Sequence, residues 1–187
     1  MKRTALFQTV VVLIGLTVHL SFTSCQSQPQ QKEKIHETIA ATTQKDSLPK
    51  AAGYVNDFEN LFTPDQKAYL EQLLAEFNDS TTIQIAVVTL DSTFTNNSDF
   101  DNYTLKLLRY WGVGQPGKNN GMLIGISASL RQMRIQNGYG IEGVLSDSQT
   151  KKFVDNAFIP RFKEGNYYKG TLDGITAIMQ FLRKAYK

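Results

Sequence analysis

Two stretches of this chain are short, almost wholly apolar and rich in β-branched residues: 83–90 (IQIAVVTL) and 122–127 (MLIGIS). A strand with one wet face alternates apolar and polar residues. These two do not, so each must be covered on both sides, as central strands of a sheet are. Each follows a segment with apolar residues at roughly helical spacing. Ala68, Leu70, Leu73, Leu74 and Phe77 precede the first; Phe100, Tyr103, Leu107 and Leu108 precede the second. Helices alternating with buried strands predict a layered α/β domain. A third strand is expected over 132–137, joined to the second by a tight connection at 128–131, and no internal repeat is present.

Local signals set the boundaries. Thr63-Pro64-Asp65-Gln66 predicts a helix start, with Thr63 as cap, Pro64 at the first helical position and Gln66 completing a capping box. Asn78-Asp79-Ser80 ends that helix. A second helix is expected over 99–110. Residues 111–121 (WGVGQPGKNNG) hold four glycines, one proline and two asparagines, which is turn chemistry. Residues 138–143 read as a glycine loop. Ser146 and Asp147 cap a helix expected to run through Phe158, with a break at Pro160, Gly165 and Asn166. The last helix, 168–186, carries Leu172, Ile175, Ile178, Met179 and Leu182 on one face.

The residue inventory limits the chemistry. The 187-residue chain has one cysteine, Cys25, and two histidines, His19 and His36. All three precede the globular region. Beyond residue 36 there is no thiol and no imidazole, which excludes Ser-His-Asp triads, Cys-His pairs, histidine zinc sites and haem ligation by His. Carboxylates, amides, hydroxyls, Lys and Arg remain, with hard metal ions as the only metals such groups favour.

The N-terminus reads as an address. Met1-Lys2-Arg3 is a basic start, and 5–20 is a mostly apolar stretch too short to span a bilayer. Phe22-Thr23-Ser24-Cys25 follows, and small residues before a lone cysteine resemble the bacterial lipobox, in which that cysteine is diacylated. The expected organisation is therefore a signal peptide at 1–24, a lipidated Cys25 leading a flexible tether at 25–52, and a globular domain at 53–187. The tether is rich in Gln, Ser, Thr and Lys and cannot bury enough surface to order itself. Localisation is expected in the bacterial cell envelope, lipid-anchored and facing the periplasm. The formal charge of +3 falls to +1 once Lys2 and Arg3 are removed, which gives no reason to expect nucleic acid as a partner.

Two motifs resemble nucleotide binders and fail on context. Residues 112–119 (GVGQPGKN) nearly spell a P-loop, but Asn119 stands where a hydroxyl should hold magnesium, and the loop runs from helix to strand rather than strand to helix. Residues 138–143 (GYGIEG) spell GxGxxG after what looks like the second arm of a hairpin, with no acid-ended strand following. No nucleotide is expected. The glycines are read as sites of positive φ or close backbone packing.

Residues 111–147 (WGVGQPGKNNGMLIGISASLRQMRIQNGYGIEGVLSD), then 159–170 (IPRFKEGNYYKG), together with the entry GYVNDFENLFT at 53–63, resemble the TPM domain family. The resemblance implies a three-layer α/β sandwich, a central β-sheet with helices on both faces. The family includes thylakoid-lumen proteins linked to photosystem II repair and many bacterial envelope proteins. Some members are described as acid phosphatases, and some as binders of calcium or other divalent cations. The resemblance, combined with the oxygen-only inventory, points to Asp57, Asn120, Glu142 and Asp147 as ligands of a divalent cation, Ca2+ or Mg2+. Asp91, Asp99 and Asp101 are second-tier candidates. Trp111 reads as a packing anchor, Tyr139, Tyr167 and Tyr168 as cleft-lining aromatics, and Arg109, Lys118, Arg131, Arg134, Arg161 and Lys163 as a solvated set able to hold phosphate where they converge.

Three functions follow as expectations: a tethered adaptor or assembly and repair factor for membrane proteins that binds a divalent ion; a metal-dependent acid phosphatase; and a structural envelope lipoprotein.

Overall fold

The computed structural model describes residues 48–186. The expected signal peptide, Cys25, His36 and most of the tether lie outside the described residues. Among the described residues no helix is long and apolar enough to cross a membrane.

Four strands form one mixed sheet in the order β1 (Val55–Asp57), β2 (Gln84–Thr89), β3 (Gly121–Ser127), β4 (Gln132–Asn137). β1, β2 and β3 are parallel, and β4 returns antiparallel to β3. The apolar runs behave as their composition requires: β3 is buried along its whole length, and β2 everywhere but its first residue. Alternate side chains go to opposite faces. Ile85, Val87, Met122, Ile124 and Ile126 point into one core; Ala86, Val88 and Leu123 point into the other. The first core is closed by helices α1 (Pro64–Thr81) and α6 (Tyr167–Ala185). The second is closed by α2 (Phe100–Tyr110), through Phe100, Tyr103, Leu107 and Leu108. Helices therefore lie on both faces.

The helix starts follow local chemistry. Thr63 and Gln66 form a reciprocal capping box with Pro64 just inside α1. Ser146 and Gln149 form another at the start of α4 (Asp147–Phe153). Each satisfies two backbone donors that would otherwise be orphaned.

The structure departs from the sequence reading in three places. β1 was not expected: three residues, two of them polar, carry no strand signal, and their pairing comes from the exposed edge of β2. The 138–143 segment is not purely loop, because Tyr139–Glu142 winds into a short helix, α3. The helix begun at Asp147 does not break at Pro160. It widens into a five-residue π-helical turn, Val154–Phe158, and resumes as α5 (Ile159–Lys163). Proline lacks an N–H and its ring crowds the carbonyl four residues earlier; a wider turn just before Pro160 relieves that clash without ending the helix.

The entry segment is part of the fold. Leu48 packs on the second core, and Trp111 Nε1 donates to the Pro49 carbonyl at 2.7 Å. The indole is the packing anchor its setting implied, and it ties down chain ahead of the Gly53 boundary.

Candidate functional site

The reversal of β4 decides where the two glycine segments go. The loop before β3 (111–120) lies at the amino end of the parallel strands. An antiparallel β4 returns the chain to that same end, so 138–143 lands beside 111–120. The backbones interlock: Gly138 N–H donates to the Gly121 carbonyl at 2.8 Å, and Gly140 N–H to the Asn119 carbonyl at 2.9 Å. Glycine is required for this approach. A Cβ on Gly138 would lie 2.3 Å from the Asn119 carbonyl oxygen, and one on Gly140 2.2 Å from that of Lys118. The expectation of close packing holds here, and that of positive φ holds for the first loop, at Gly112, Gly114 and Gly117.

Between these loops and the end of α2 lies a cleft of about 440 Å³. Leu105, Leu108, Val113 and Pro116 give it apolar wall; Arg109 and Glu142 give it one charge of each sign; Asn137 and Tyr139 line the β4 side. Tyr139 is 76% exposed, the largest value among the described large hydrophobic residues. Asn137 donates from Nδ2 to Thr150, while its buried Oδ1 has no donor among the described residues. The cleft thus offers a cation, an anion and an aromatic ring on a backbone held by main-chain bonds. From the far side, the Tyr186 hydroxyl donates to the Gly140 carbonyl, and burial raises that phenol above its ordinary pKa.

The sequence-derived ligand residues do not gather at one point. Asn120 and Glu142 lie at the amino rim. Asn120 is a clamp: Oδ1 accepts from Gln115 N–H at 2.9 Å and Nδ2 donates to the Thr82 carbonyl at 2.9 Å. Glu142 is exposed on the cleft wall, and Asp147 is exposed at the first position of α4. Asp57 is at the opposite rim, at the end of β1. β3 is seven residues long, so roughly 20 Å separate the rims. Both Asp57 oxygens are engaged, accepting from Leu61 N–H at 3.0 Å, Phe62 N–H at 2.9 Å and the Thr89 hydroxyl. Among the described residues no three His, Cys, Asp or Glu converge as a metal site requires. As a single cation site, the four residues do not fit.

The second-tier acids are also taken up locally. Asp91 accepts from the Thr93 amide at 2.8 Å, Asp99 from Asn102 Nδ2 at 2.9 Å, and Asp101 pairs with Arg134 at 3.1 Å. Asp99 sits at the cap position of α2 but makes no side-chain cap bond. Two acids that the sequence reading did not weigh hold loops instead. Glu59 accepts from the Ala128 and Ser129 amides at 2.8 and 2.7 Å. Glu71 accepts from those of Tyr54 and Val55 at 2.6 and 2.7 Å. Nothing in the local sequence marks either, because both act over long separations.

The TPM domain family model matches residues 55–181. This chain belongs to the TPM domain family. Among solved structures it is similar to the N-terminal domain of a protein from P. gingivalis, at 34% identity and TM-score 0.64, covering 71% of this chain and 83% of that one. It shares its fold with BA42 from Bizionia argentinensis, at 23% identity and TM-score 0.58, over 69% of this chain and 86% of that one. The N-terminal domain of cg2496 from Corynebacterium glutamicum also has this fold, at 16% identity and TM-score 0.52, over 76% and 85% of the two chains. No curated protein matches.

Proposed function

We propose that this TPM domain is a recognition module, tethered to the envelope membrane through Cys25, that holds an extended segment of a membrane or envelope protein in the cleft between its glycine loops. The cleft carries this reading. An acidic group of the bound segment meets Arg109, and an apolar side chain lies against Tyr139 and Leu108. Exposed aromatic rings beside a cleft are the residues that concentrate binding energy. The domain acts as an adaptor, and no reaction is needed for this role.

The test is site-specific cross-linking. A photo-reactive group placed at Tyr139 in membrane-anchored protein captures a small, reproducible set of envelope proteins, and Arg109→Glu removes those adducts while the fold stays intact. Adducts spread over abundant proteins and unchanged by Arg109→Glu end the proposal. A phosphomonoester assay on the same protein addresses the phosphatase alternative, and turnover abolished by EDTA would replace the adaptor reading.

A further inference from the structure

A second cleft, of about 550 Å³, opens at the opposite rim, between the start of β4 and the α5–α6 connection. Its floor and walls are apolar: Met133, Ile159, Phe162 and Tyr167. Phe162 and Tyr167 stand with ring centroids 5.0 Å apart, forming a continuous aromatic wall. Among the described residues the only charged ones lining it are Arg131 and Lys163, both exposed, and no acid does. Other cations nearby are paired, Arg161 with Glu164 and Asp173, and Arg134 with Asp101. Among the described residues Arg131 and Lys163 make no ion pair.

Both cations are held by backbone that the fold fixes. Arg131 adopts a left-handed conformation, φ 52, in the tight β3–β4 turn. Glu59 locks that turn by taking its two free amides, and the Ser127 hydroxyl accepts the Leu130 amide at 3.2 Å. Lys163 ends α5, whose facing is reset by the π-helical turn before it. Such turns recur where a helix must present side chains off the regular register.

We propose that this cleft binds an amphiphilic anion: one carboxylate or phosphate between Arg131 and Lys163, its acyl or aryl body laid on Met133, Ile159, Phe162 and Tyr167. Two cations with no acid among them select negative charge, and the apolar floor selects against a bare, fully hydrated ion.

The experiment uses the chain from residue 26 onward, which keeps both cores whole; the P. gingivalis relative was itself solved as a separate N-terminal domain. Amide NMR spectra are titrated with octyl phosphate, octanoate, inorganic phosphate and octanol. Octyl phosphate and octanoate are expected to shift Gln132, Met133, Lys163 and Tyr167 saturably, with inorganic phosphate and octanol each at least about tenfold weaker. Arg131→Asn, which tolerates the left-handed backbone, and Lys163→Gln each weaken octyl phosphate about tenfold, the size of one charge-assisted hydrogen bond. Competition separates the sources. Phosphatidylglycerol vesicles that displace octyl phosphate, where phosphatidylcholine vesicles do not, identify a lipid headgroup. No displacement by either identifies a soluble amphiphile. Absence of saturable shifts at these amides, or equal affinity in the folded Lys163→Gln variant, overturns the proposal. A failure of the Tyr139 cross-linking leaves this result untouched, because the two clefts share no residue.

Discussion

The Thr89 hydroxyl donates to the Asp57 carboxylate and accepts the Glu59 amide at 2.9 Å, so one side chain of β2 fixes the chain leaving β1. Asp57 completes the turn by accepting the Leu61 and Phe62 amides. Asp57→Asn replaces a charged acceptor with a group that turns an N–H2 toward one of these donors. We expect a loss of about 2–3 kcal/mol, read from urea unfolding. A loss below about 0.5 kcal/mol would show that Asp57 is not the turn's keystone.

The three glycines of 138–143 are not equivalent. Gly138 and Gly140 press on carbonyl oxygens of the neighbouring loop, whereas a Cβ on Gly143 meets nothing within 4 Å, at an ordinary helical φ of −64. Gly138→Ala and Gly140→Ala should each cost about 1–3 kcal/mol. Gly143→Ala should stabilise by about 0.5–1 kcal/mol through the unfolded chain. Thermal melts of the three variants check the order, and equal effects would refute the interlock.

Phe158 lies in a notch over Gly174, where a Cβ would come 2.1 Å from the ring. Gly174→Ala is expected to destabilise by about 2 kcal/mol, overpacking outweighing the better helix propensity of alanine. In a Phe158→Ala background the obstacle is gone, and the same substitution should stabilise by about 1 kcal/mol. A double-mutant cycle reads that change of sign, and additive effects would mean the ring and the notch are uncoupled.

Asp173 bridges α5 and α6. It accepts from Lys169 at 2.7 Å and from Arg161 at 3.4 Å, and the Lys169 bond first, then the Arg161 pairing, hold its carboxyl below the ordinary value of 3.8. A carboxyl with a lowered folded pKa binds fewer protons folded than unfolded. Its stabilising contribution is therefore present above pH 3.8 and lost as pH falls through the folded value. Asp173→Asn should lower the urea midpoint at pH 7 and narrow the wild-type difference as acid is added. A gap that stays constant down to pH 2 would assign the effect to packing.

Much of the architecture could be read from residues because it is local. The apolar runs of β2 and β3 required cover on both faces, and Thr63 and Ser146 carry their capping partners three residues on. β1 was hidden because Val55-Asn56-Asp57 becomes a strand only when β2 offers an edge. The π-helical turn before Pro160 was hidden because proline signals a problem but not how the chain solves it. For the site, both glycine loops stood out, yet nothing local says they meet. Their contact depends on the direction of β4, a property of the whole sheet. The same limit put Asp57 in one ligand set with Asn120 and Glu142: motif membership ignores which rim a residue occupies.

The backward course of β4 has one more effect. In an all-parallel sheet the loops that follow strands crowd onto a single end, and their demands compete for the same space. Here the last strand carries its trailing loop to the other end, so each end is built from different segments. On the two proposals made above, a segment held at one end leaves the cleft at the other end open, because the two are built from different residues.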